Sequence, residues 1–158
     1  MRRKIINPYN TELNKCFGCS RKNPIGLKLE FEEVDNYIEA TWEPKEYYQG
    51  YVNVLHGGII ATMLDEVGAW CVSVKKGTAG VTSELKVRYL KPVFMNRGNI
   101  TLRAHIERTE GRYVYLKCDL TDSNGKICAE ADTKYFVYPE EYAKRKFSFP
   151  GKEYFFDK

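Results

Sequence analysis

Polar and apolar residues alternate through most of the second half of this chain. The runs are 84–90 (ELKVRYL), 99–108 (NITLRAHIER), 112–120 (RYVYLKCDL) and 126–138 (KICAEADTKYFVY). A period of two sends successive side chains to opposite faces, as in a strand with one face buried. Gly111 and the DSNG at 122–125 mark tight turns between the last three. Two shorter runs come earlier. In LKLEFE (27–32), Leu27, Leu29 and Phe31 share a face, and in YIEATW (37–42), Ile38, Ala40 and Trp42 do so. The EVDN between these two runs suits a hairpin.

One segment breaks the alternation. From His56 the chain runs HGGIIATMLDEVGAW, almost wholly apolar except for Asp65 and Glu66. Its length and spacing predict a helix over 57–75, closed by Lys75, Lys76 and Gly77. The order β–β–helix–β–β–β–β predicts an α+β fold, an antiparallel six-stranded sheet wrapped around one long central helix. Residues 1–26, broken by Gly18, Gly26 and two Asn-Pro pairs, read as an irregular N-terminal segment. The tail, 139–158, has no clear period, and its aromatic residues suit either docking on the body or packing in an oligomer. The domain is therefore placed at 27–138.

Composition changes this picture little. A chain of 158 residues with 43% hydrophobic and 29% charged residues has the make-up of one globular domain. The net charge of +4 is mild and partly terminal, which argues against a nucleic-acid partner and favours anionic small molecules. No secretory signal is expected in MRRKIINPYN, and the apolar run is too short and too interrupted to span a bilayer. The five cysteines, an odd number, fit reduced thiols in a cytoplasm. Cys16 and Cys19 form a single CxxC. A zinc site needs two further ligands, and no second CxxC or CxH is present, so packed thiols are the expectation and no metal is.

An acid inside so apolar a helix needs a reason. Gly58, Ala61, Thr62, Gly68, Ala69 and Val72 lie three, four or seven residues from Asp65 and form a slim stripe around it. Such a stripe admits a partner helix or a ligand. The first-turn amides, from Gly57 and Gly58 onward, have no intrahelical acceptor and form a donor site. Amide donors and a facing carboxylate are the parts for acyl hydrolysis: the amides hold an oxyanion, and Asp65 activates water or attacks directly. Glu66, the next residue, reads as solvent-exposed.

The stretch HGGIIATMLDE (56–66) resembles the motif of hot-dog-fold acyl-CoA thioesterases of the phenylacetate-pathway type. The resemblance extends to the element order over 27–138 and to GVTSELKVRYLKPV (80–93). It implies a hot-dog fold and Asp65 as the catalytic carboxylate, nine positions after His56. It also places Thr82 near that carboxylate. The implied substrate is an acyl-CoA thioester, with coenzyme A part of the substrate and no cofactor. Hot-dog subunits pair so that sites form between them, which implies a homodimer or a dimer of dimers. Family members often carry Asn or Gln six residues before the histidine. Position 50 here is glycine, with Gln49 and Asn53 as the nearest substitutes. Arg88, Lys91 and Arg97 surround a turn and are candidates for the coenzyme A phosphates. His56 is read as structural rather than as a base. Two other readings stand beside hydrolysis: a non-catalytic acyl-CoA-binding module, and a hot-dog enoyl-CoA hydratase or dehydratase pairing His56 with Asp65.

Overall fold

Seven strands form one antiparallel sheet in the order β1-β2-β3-β5-β6-β7-β4. They are β1 (Arg2–Lys4), β2 (Glu32–Val34), β3 (Tyr37–Trp42), β4 (Gly80–Tyr89), β5 (Ile100–Glu110), β6 (Tyr113–Thr121) and β7 (Ile127–Val137). The long helix α1 (Gly57–Lys76) falls between β3 and β4, and a short helix α2 (Glu140–Phe147) follows β7. The computed structural model describes residues 1–158 throughout.

Apolar side chains set the position of α1. Met63, Leu64, Val67, Cys71, Val72 and Val74 are fully buried, and they meet Ala104, Val114, Leu120 and Ala129 from the sheet in one core. Each buried Leu, Val or Met among them contributes roughly 1.5–3 kcal/mol by leaving water. The helix ends as its sequence predicts, on Gly77 in the left-handed region (φ 67°), whose N–H reaches Ser73 O.

The sheet differs from expectation at its first edge. Leu27, Leu29 and Phe31 are buried in alternation, but 27–31 is not a strand. Lys28 has φ 54°, which interrupts extended structure. The segment's amides bond to the N-terminal loop instead: Leu27 N to Phe17 O at 2.8 Å and Leu29 N to Gly18 O at 2.9 Å. Only Glu32–Val34 joins the sheet, and β1 pairs with it, so strands number seven rather than six.

Both flanks belong to the core. Ile5 and Cys19 from the first segment are buried, as are Phe149 and Phe155 from the tail. Phe155 packs edge-on to Trp70 of α1, and its carbonyl accepts Ile6 N at 2.8 Å. The tail aromatics Phe149 and Phe155 therefore dock on the body. At the other edge of the sheet, β4 begins at Gly80, earlier than the run at 84–90 suggested, and so includes Thr82. It is a ten-residue edge strand whose residues 81–84 are all exposed.

Candidate active site

Asp65 faces β4 and β7 from the middle of α1. Its Oδ1 accepts the Thr82 hydroxyl at 2.7 Å and lies 2.9 Å from the Tyr135 hydroxyl, which also reaches Asp65 O at 2.7 Å. Oδ2 takes part in none of these bonds. Thr82 and Tyr135 are directly opposed in the β4–β7 register, and a register shift follows between Thr82 and Glu84. A bulge of this kind re-aims side chains next to it. Thr82 thus lies where the resemblance put it.

Tyr135 was not foreseen from sequence. It is fully buried, and burial followed by the neighbouring Asp65 charge holds its hydroxyl well above the usual tyrosine range. It remains a donor. Gly68, one turn after Asp65, makes the contact possible: a Cβ there would lie 2.5 Å from the Tyr135 oxygen. The slim stripe therefore admits a side chain of the chain's own β7 at Gly68. Ala61 and Thr62, further toward the N-terminus, stay partly accessible.

At the N-terminus of α1, His56 is the capping residue, and its Nδ1 accepts Gly58 N at 2.9 Å. This uses one amide assigned above to an oxyanion site. The Gly57 N–H has no partner within the chain and remains a donor. Tyr89 Oη donates to Gly57 O at 2.7 Å and steadies that turn. An open cleft of about 600 Å³ lies here, lined by Gln49, Gly50, Tyr51, Val54, Leu55, His56 and Gly57. Gln49 and Asn53 hold its wall: Gln49 Oε1 accepts Asn53 N at 3.1 Å, and Asn53 Nδ2 donates to Asn96 at 3.0 Å.

The three cations assigned to phosphates separate. Arg88 is paired with Glu130 at 3.0 Å and Asp132 at 2.6 Å on the sheet, and Asp132 also meets Lys117. Its charge is already answered. Lys91 instead shares a surface cleft with Arg97 and Lys126, bordered by Phe94 and Asp122.

Glu66 corrects the sequence reading. Rather than facing solvent, it points into the region between α1 and the N-terminal loop. Its Oε1 accepts Trp70 Nε1 at 3.2 Å and the Cys16 thiol at 3.5 Å. Burial, and then the Cys16 charge, push its carboxyl up to about 7. The missed signal was the aromatic four residues on: Trp70 at i+4 covers the side chain of residue i.

Comparison with known proteins fits this architecture. The family description "thioesterase superfamily" matches residues 52–129. A protein of Saccharolobus solfataricus named only as an esterase is 30% identical over 124 residues, 77% of this chain and 81% of that protein. The acyl-coenzyme A thioesterase THEM4 of Mus musculus is 24% identical over 80% of this chain, and the match spans 55% of that longer protein. Among solved structures, the PaaI protein of the E. coli phenylacetic acid degradation operon superposes with a TM-score of 0.65 at 17% identity, covering 72% of this chain and 82% of that one.

Proposed function

Since this chain belongs to the hot-dog thioesterase superfamily, we propose that it hydrolyses an acyl-coenzyme A thioester to a carboxylic acid and free coenzyme A. The observation that carries this reading is the carboxylate of Asp65, fixed through one oxygen by Thr82 and Tyr135 with the other oxygen unbonded. A base that works on a scissile carbonyl must be held still and must keep one oxygen for water or for the carbonyl carbon. Bonds from two hydroxyls do the holding.

Gly57 and Asp65 are eight residues apart, about 12 Å along a helix axis at ~1.5 Å per residue. One thioester carbonyl cannot touch both on one chain. Two copies can solve this if the amides of one face the carboxylate of the other. The long exposed edge of β4, which carries Thr82, is the surface for such pairing. In that arrangement Gly57 N–H holds the oxyanion, Asp65 drives attack, and coenzyme A leaves as the thiol. Lys91, Arg97 and Lys126 supply positive charge suited to its phosphates. His56 spends Nδ1 on the helix cap, which weighs against a hydratase pairing of His56 with Asp65. The named activity of the mouse relative, an acyl-coenzyme A thioesterase, supports the same substrate class.

The test is release of free thiol from short, medium, long and aryl acyl-CoA substrates. Hydrolysis of at least one supports the proposal. Ligand-induced stabilisation without thiol release would make the chain a binding module. Label appearing in the Asp65 carboxylate after a single turnover in heavy-oxygen water identifies Asp65 as a nucleophile whose mixed anhydride is opened at its own carbonyl.

A further inference from the structure

Cys16 and Glu66 are fifty residues apart in sequence. Folding places the sulfurs of Cys16 and Cys19 and a carboxylate oxygen of Glu66 within 4.8 Å of one another. We propose that Cys16, Cys19 and Glu66 form a zinc-binding site, with an exogenous ligand such as water in the fourth position.

The spacing suits the metal. Zn–S bonds of about 2.3 Å and Zn–O bonds of about 2.0–2.2 Å put sulfur and oxygen about 3.5 Å apart at neighbouring corners of a tetrahedron. Cys16 Sγ lies 3.5 Å from Glu66 Oε1. A sequence search for a second cysteine pair misses this donor set, because the third ligand is a carboxylate on α1.

The surroundings hold the donors in place. Trp70 Nε1 donates to the same Oε1 at 3.2 Å, as the outer partners of metal ligands do. The cysteine turn is fixed by Ser20 N to Cys16 O at 3.1 Å and by Leu29 N to Gly18 O at 2.9 Å. Gly18 leaves no room for a side chain: a Cβ there would lie 2.4 Å from Glu66 Cδ. The turn backbone is thus pressed against the carboxylate.

The site also lacks something that a metal would supply. The groups bonded to Glu66 are the Cys16 thiol and the Trp70 indole, and neither is a cation. A part-buried carboxyl without a positive partner is costly to ionise. Zinc brings that charge, and its binding expels the thiol protons, so affinity falls in acid. None of the three donors takes part in holding Asp65, which points about 100° away around the helix. The metal would act as a clamp between the N-terminal loop and the central helix.

The experiment uses the full chain, reduced, stripped with a chelator and titrated with zinc against a chromophoric competitor, with cobalt as the spectroscopic probe. One metal per chain is expected, with a thiolate-to-cobalt charge-transfer band and the visible bands of a tetrahedral ion. Cys16→Ser and Cys19→Ser should each remove or weaken that band. Glu66→Gln keeps both thiols, so it should retain charge transfer while shifting the visible bands and weakening zinc binding. Trp70→Phe should weaken zinc by about 10–100-fold, the usual effect of losing an outer partner. Folded, reduced protein that binds no more metal than the Cys16→Ser/Cys19→Ser double variant overturns the site. Unchanged affinity and bands in Glu66→Gln overturn it as well, since they would describe a bare dithiol.

Discussion

Thr82 and Tyr135 stand opposite each other across the β4–β7 pair, and both hydroxyls converge on one oxygen of Asp65, at 2.7 and 2.9 Å. Two strands thereby aim a single helical carboxylate. The pair explains how an acid is held in an otherwise apolar helix: its charge is bonded from the sheet, and one oxygen is kept free.

Tyr135→Phe keeps the ring and removes the donor. A hydrogen bond to a charged group is worth about 1.5–3 kcal/mol, so losing half of that alignment lowers kcat roughly 3–10-fold. Thr82→Val should act in the same direction. Steady-state kinetics on any hydrolysed acyl-CoA check this. Full kcat in both variants would mean that neither hydroxyl positions the carboxylate.

Gly68→Ala tests the same contact from the helix. The added methyl would sit 2.5 Å from the Tyr135 oxygen, on a ring that is fully buried. Overpacking of this kind costs about 1–3 kcal/mol. Combined with Tyr135→Phe, the loss should fall short of the sum, because the second change removes the atom that the first one strikes. Strict additivity in denaturant unfolding would contradict the geometry.

Lys91→Ala with Arg97→Ala should raise KM more than it lowers kcat, since phosphate contacts bind substrate and transition state alike. Arg88→Ala should leave KM nearly unchanged and instead lower stability near neutral pH. Asp132 is held below its ordinary 3.8 by Lys117 first and Arg88 second. A depressed aspartate contributes stability above its unfolded value, and loses it as pH falls through the lower folded value. The gap between wild type and Arg88→Ala should therefore begin to narrow as pH falls below about 3.8 and vanish below the lower folded value. An equal rise in KM from Arg88→Ala would return that residue to the substrate.

The shared site predicts a homodimer or larger assembly at micromolar concentration by sedimentation. It also predicts that mixing inactive Asp65→Asn with inactive Gly57→Val restores activity, because one site of each mixed dimer is intact. A monomeric active enzyme would contradict it.

The sequence carried the helix and the four long strands because their periods, 3.6 and 2, reflect burial on one face. It misplaced 27–31, whose period is real but whose amides bond to the N-terminal loop rather than to a strand. Tyr135 was not legible, and Glu66 carried only the partial signal of Trp70 at i+4. Tyr135 reaches Asp65 across seventy residues, and Glu66 is covered by a segment with no regular period. The proximity of Thr82 to Asp65 was legible through the resemblance, whereas the pairing of Arg88 with Glu130 and Asp132 crosses strands and leaves no local signal.

The most direct measurement is thiol release by Asp65→Asn, with circular dichroism to show that the variant folds. Asparagine keeps the size and removes the charge, so Thr82 and Tyr135 retain a carbonyl acceptor. A folded protein with kcat lowered roughly 10²–10⁴-fold is expected, the range for loss of a general base. A folded variant with wild-type kcat would contradict it.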